Sequence, residues 1–301
     1  MISLSPQAWL GLGALAGIIA CIWIYPKFVI LLDQRACRKQ KRIFQKDLYP
    51  ARGGEEVRFL LIGDQGSGDK YQRAVSQASF ATAEALGAEF TLFLGDNFIQ
   101  DGVQGLDDPQ FKIKFEEMYP HQMPFYAILG NHDLRNAWPS LIDYTAISER
   151  WRMPETDYSF QAGPVSFFAF NSTCTICSAW PLYQKVDTPW KVAFGHHPVI
   201  SSGRHGQMTG LERFVIRKSG VDFLFAGHNH LLEHVQYKGM EQILSGGGGS
   251  PLPQTKLTPS PHTRFLLESH GYAWARFSAT EAEFKFFNEK GEELYSYLKQ
   301  K

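Results

Sequence analysis

The stretch VRFLLIGDQG, Val57 to Gly66, decides how this chain is read. A short, mainly apolar run stops at Gly63-Asp64, the pattern of a buried strand that ends in a polar loop. Residues 70–88 then read as a helix, and the pattern recurs. Phe90 to Leu94 stops at Gly95-Asp96, and Phe125 to Leu129 stops at Gly130-Asn131-His132-Asp133. Val192 to Phe194 ends in Gly195-His196-His197-Pro198, and Phe223 to Ala226 in Gly227-His228-Asn229-His230. Ligands of open α/β sheets bind in the crevice at the carboxyl ends of the strands, where such loops converge. Turns select Gly, Asn and Asp but not His, so five endings of this kind point to a site rather than to turn chemistry.

The side chains at these endings mix carboxylate, carboxamide and imidazole and include no cysteine, the donor set of harder divalent and trivalent ions. A carboxylate shared by two ions about 3.5 to 4 Å apart is the centre of a two-metal hydrolytic site. The body therefore reads as an enzyme before any relative is considered.

In their order, GDQG at Gly63, GDNF at Gly95, GNHD at Gly130, GHHP at Gly195 and GHNH at Gly227 resemble the calcineurin-like metallophosphoesterases. More closely, they resemble the small purple acid phosphatases of the tartrate-resistant type. ISERW at Ile147, LSGGGG at Leu244 and GYAWARF at Gly271 add weaker support, and the resemblance runs from Val57 to Tyr297. It implies an α/β fold, a sandwich of two mixed sheets flanked by helices, and a cofactor of two metal ions, Fe, Mn or Zn. Asp96 would bridge the ions, with Asp64 and His230 on one and Asn131, His196 and His228 on the other. A hydroxide held by the ions would attack phosphorus in line, with His132 as acid for the leaving group or as a phosphate donor. His205, in the Gly203-Arg204-His205-Gly206 loop, falls where the family often places a second substrate-facing histidine. The implied activity is phosphate monoester hydrolysis. The alternatives are a phosphodiesterase or pyrophosphatase on a nucleotide or lipid-linked substrate, and a catalytically weakened metal-binding scaffold.

Two departures from the pattern stand out. The purple acid phosphatase motif GDxxY supplies a tyrosine that binds ferric iron and gives the colour, and here that position is Ile99. The wider superfamily instead supplies a histidine two residues after the first aspartate, and here that position is Gly66. One ion therefore lacks its usual protein ligand, with water, Gln65 or Gln100 as candidates to fill the place, and a colourless protein is expected. The segment from Asn171 to Trp190, with two prolines and the pair Cys174 and Cys177, is too short for the long helix the family places there, so the outer layer should be trimmed.

The remaining expectations come from the other end of the chain. Among 301 residues, 44% are hydrophobic, and 30 basic residues balance 30 acidic ones. Residues 1–42 hold six of the basic residues and one acid, which leaves the rest at 24 basic against 29 acidic. Nucleic acid is thus not an expected partner of the body. Ala8 to Tyr25 is eighteen residues without a charge, long enough to span a bilayer, and five basic residues lie between Arg35 and Arg42. The sequence therefore divides into an anchor over 1–33, a basic juxtamembrane segment and linker over 34–55, and a metallophosphoesterase domain over 56–301. The positive-inside rule puts the catalytic domain in the cytoplasm, against the family's habit of secretion. Gly13 and Gly17 offer a weak homodimer contact.

Overall fold

The computed structural model describes residues 43–44, 54–254 and 257–301. The apolar stretch 8–25, Gly13, Gly17 and the basic cluster 35–42 lie outside the described residues. Among the described residues no helix is long and apolar enough to cross a membrane.

The described strands form two mixed sheets, as the resemblance implies. One sheet is built on the opening motif: β2 (Glu56–Ile62), β3 (Phe90–Phe93), β4 (Phe125–Ala127) and β5 (Trp151–Arg152) run parallel. On the other edge of β2 lie β13 (Gly271–Ser278), β14 (Glu281–Asn288) and β15 (Glu293–Gln300), each antiparallel to its neighbour. The second sheet has the order β1-β6-β7-β8-β9-β11-β10-β12. Its members are β1 (Ile43–Phe44), β6 (Tyr158–Ala162), β7 (Val165–Ala169), β8 (Trp190–Phe194), β9 (Phe223–Ala226), β10 (Leu232–Tyr237), β11 (Met240–Ser245) and β12 (Thr263–Leu267). Strand β1 falls within the stretch read as linker and pairs in parallel with Tyr158 and Ser159 of β6.

Aromatic side chains fill the space between the sheets. Phe59 of β2 stacks on Phe90 at 5.1 Å between ring centroids and meets the edge of Phe167, from the facing sheet, at 5.2 Å. Such pairs add to the area they bury, so the abundance of phenylalanine serves the core. Helix α1 (Lys70–Leu86) covers the first sheet and agrees with the sequence reading; the Asp69 carboxylate caps it by accepting from the Tyr71 and Gln72 amides, and Gly87 ends it at φ 79°. Further along are the short helices α2 (Pro139–Asp143) and α3 (Thr175–Ser178), and then α4 (Gly210–Lys218). Between Asn171 and Trp190 the chain makes only short helical turns, Ser172–Cys174, Thr175–Ser178 and Trp180–Tyr183, so this outer layer is trimmed as expected.

Candidate metal centre

The carboxyl ends of β2, β3, β4, β8 and β9 converge, and the loops that follow bring all eight sequence-predicted residues together. Three of them sit in left-handed backbone conformation: Asp64 at φ 58°, Asp96 at 53° and His228 at 71°. Such angles are uncommon outside glycine, although Asp and His tolerate them better than most residues, and they cluster at functional sites. They turn the chain sharply at the strand end. Gly130 permits the closest approach, since a Cβ there would lie 2.1 Å from the Asp96 amide nitrogen and from its Oδ1.

The histidines are oriented in a common way. His196 donates through Nδ1 to the Leu94 carbonyl at 2.8 Å, which leaves Nε2 directed inward. That Nε2 lies 3.2 Å from Asn131 Oδ1, 3.3 Å from His228 Nδ1 and 3.4 Å from Asp96 Oδ2. His228 donates through Nε2 to the His205 carbonyl at 3.0 Å, and His230 donates through Nδ1 to the Pro251 carbonyl at 2.8 Å. The free Nε2 of His230 then stands 3.7 Å from Asp64 Oδ1. His132 follows the same rule: Nδ1 donates to the Gln100 carbonyl at 2.7 Å, and Nε2 faces Asp96 Oδ2 at 3.9 Å. A carbonyl partner can only accept, so each outer nitrogen carries a proton and the inner nitrogen is the one left to bind a cation. Metal-binding imidazoles are held in this way. The His205 ring is exposed at the edge of this cluster, 4.9 Å from that of His230 and 5.9 Å from that of His228.

The charges point the same way. Burial pushes the Asp64 carboxyl well above the usual carboxylate range, and its Oδ1 is buried without a hydrogen-bond partner. Burial also works against an ionised Asp96, but the neighbouring His196 prevails and holds it below its ordinary value. Burial lowers His196 too, yet Asp96 and Asp64 raise it to about 10. Burial brings His228 and His230 down to about 4, so both are neutral and suited to ligation. Two buried carboxylates, one unsatisfied oxygen and the neutral imidazoles of His228 and His230 call for cations. Asp64, Asp96 and His196 offer one donor atom each within 4.8 Å of one another, and the donor set fits a metal centre.

Sequence reasoning assigned no role to several residues around this centre. Asp133, the last residue of GNHD, is buried and accepts from the amides of Asn97, Phe98 and Gly130, which locks the loops after β3 and β4 together. Burial, with Asp96 adding to it, pushes its carboxyl up to about 7. Asn97 donates to Asp133 and to the Ile128 carbonyl and accepts from Gln65 Nε2. Ser250 donates from its hydroxyl to the Asp64 carbonyl, tying the loop after β11 to the site. The motif quoted the aspartate; what it binds depends on three loops meeting.

The two departures have a structural counterpart. A Cβ at Gly66 would lie 2.4 Å from the Asn97 carbonyl oxygen, so no histidine fits on this backbone. The carbonyls of both Gly66 and Ile99 accept from a single ammonium, Lys114 Nζ, at 2.9 and 2.8 Å. Of the two glutamines, Gln65 is buried and spends its amide nitrogen on Asn97, whereas Gln100 is exposed and contributes its backbone carbonyl to His132.

Comparison with known proteins supports this reading of the centre. The sequence model described as calcineurin-like phosphoesterase matches residues 57–232, more than half of the chain. The chain belongs to the calcineurin-like phosphoesterases. This phosphoesterase is 25% identical over 275 residues to Purple acid phosphatase 7 of Arabidopsis thaliana, spanning 79% of this chain and 84% of the relative. It is 27% identical over 291 residues to Tartrate-resistant acid phosphatase type 5 of Homo sapiens, spanning 79% and 89%. Its fold matches that of GAP50, titled the anchor in the inner membrane complex of Plasmodium, with a TM-score of 0.71 at 22% identity over 80% of this chain and 88% of that one. The phosphoesterase is thus a metallophosphoesterase hydrolase with a candidate metal-binding group, in a family whose purple acid phosphatase-like members use a binuclear centre of iron, zinc or manganese.

Proposed function

We propose that this phosphoesterase hydrolyses phosphate monoesters at the centre formed by Asp64, Asp96, Asn131, His196, His228 and His230. The observation that carries the reading is the set of imidazoles whose outer nitrogens are tied to backbone carbonyls, with the inner nitrogens of His196 and His230 facing the buried Asp96 and Asp64 and that of His228 facing His196. Asp96 would bridge two ions, with Asp64 and His230 holding one and Asn131, His196 and His228 the other. Bound there, the ions would neutralise phosphoryl charge and lower the pKa of a water.

The chain's own groups do the rest. His132, with Nδ1–H fixed on Gln100, carries a second proton on Nε2 when charged and passes it to the leaving oxygen. Its Nε2 lies 3.9 Å from Asp96 Oδ2. His205 stands at the mouth, where it orients a phosphoryl oxygen, and the Asn229 side chain holds its amide at 2.9 Å. Residues 1–33 would serve as a membrane anchor joined through 34–55 to a cytoplasmic domain over 56–301; a reporter fused at residue 301 that is active only outside the cytoplasm overturns that side.

The full chain in detergent, supplied in turn with Mn, Fe and Zn, is expected to release phosphate from an aryl monoester faster than from an aryl diester. A preference for the diester refutes the monoesterase reading, and no turnover with any metal favours a scaffold.

A further inference from the structure

Ser201 and Gln207, at the base of the loop that carries His205, line an open cavity of about 510 Å³. Its lining brings together the guanidinium of Arg213, the ammonium of Lys238 and the imidazole of His262 with Tyr237, Ser201 and Ser260, and it includes no carboxylate. Among the described residues neither Arg213 nor Lys238 makes an ion pair. Lys238 sits in the turn between β10 and β11 at φ 50°, over the Tyr237 ring, whose centroid is 5.4 Å from its Nζ. The edge of His262 meets the same ring at 5.1 Å.

The hydroxyls have donors to spare. Ser201 Oγ accepts from the Gly203 amide and Ser260 Oγ accepts from the His262 amide, so each O–H remains available. Gly210, the first residue of α4, also lines the cavity, at a helix end that Thr209 and Glu212 already cap. A guanidinium fork, an ammonium and two hydroxyl donors match the several oxygens of a phosphate group better than the two of a carboxylate.

We propose that this cavity is a second anion site that takes a phosphate group. Gln207 Oε1 accepts from the Ser201 amide at 2.9 Å and closes the base of the loop whose middle holds His205. A phosphate touching Ser201 therefore touches the loop that lines the metal centre. Two sources share this chemistry: a second phosphate on the substrate, which rests on the monoesterase reading, and free inorganic phosphate, which does not.

The test begins with metal-free full-length protein in detergent, titrated with inorganic phosphate by calorimetry. Wild type is expected to bind about tenfold or more tightly than Arg213→Met/Lys238→Met, the loss expected for removing charge-assisted contacts. Equal binding overturns the proposal, whether or not the enzyme hydrolyses monoesters, because no turnover is read. Both substitutions keep an aliphatic stem, and an unchanged melting temperature checks the fold. With metals restored, a loss of kcat/KM of about tenfold for a hexose bisphosphate, with para-nitrophenyl phosphate unchanged, assigns the site to the substrate. Equal kinetics on both substrates, with phosphate binding still lost, assigns it to free phosphate.

Discussion

The two halves of the metal centre use the same device, a strand that stops at a glycine and turns out a polar side chain, but they are not equally furnished. Around His196 the donors crowd: Asn131, His228 and Asp96 all lie within 3.4 Å of its Nε2. Around Asp64 they thin out, with His230 at 3.7 Å and an Oδ1 that has no hydrogen bond. The poorer half is also the one beside Gly66, where backbone from the facing loop fills the place of a side chain. There the chain substitutes an internal cation for a ligand: Lys114 draws the Gly66 and Ile99 carbonyls together, and Ile99 donates its amide to the Gly66 carbonyl at 3.1 Å. A centre can lose a ligand and keep its loops in place when another contact takes over the holding.

Four measurements break or sharpen this comparison. Asp96 belongs to both halves, so Asp96→Asn is expected to cut turnover by about a thousandfold or more while circular dichroism stays unchanged. An unaltered rate refutes the bridging role. Next, His196→Ala and His230→Ala should separate the halves by metal analysis. His230→Ala is expected to lose the ion of the poorer half alone, whereas His196→Ala, at the crowded half and against Asp96, weakens retention of both by about a hundredfold. Equal losses in the two variants mean that the halves are not distinct.

A smaller effect is expected for Lys114→Met, which removes the clamp and should weaken metal binding by about tenfold, with little change in KM. Metal affinity equal to wild type leaves Lys114 as a surface residue with no part in the site. Last, the iron-loaded protein is expected to show no strong visible charge-transfer band, because Ile99 stands where the colour-giving tyrosine would. A strong band in the pure protein shows that another group has taken the ligand's place.

The strand ends, helix α1 and the trimmed layer before β8 were all legible because their signals are local. They lie in apolar run length and the position of glycines and prolines. The last strand, β15, was not read as such. Its residues alternate weakly between exposed and half-buried, and its place at the edge of the first sheet is set by pairing with β14 rather than by its own pattern. Asp133 and Lys114 were missed for a related reason. An aspartate after GNH and a lone lysine carry no local sign of what they hold.

The sequence by itself determined which chemistry this chain carries, because six donors at the ends of apolar strands are a property of neighbouring residues. Only the tertiary structure decided how those donors are aimed. The proton on His196 is set by a carbonyl 102 residues away, and Asp64 accepts from the His228 amide across 164 residues. The place left by the missing ligand is shaped by Asn97 and bridged by Lys114. Donor identity is local, but tautomer, orientation and electrostatic balance are fixed by groups that meet only when both sheets have formed.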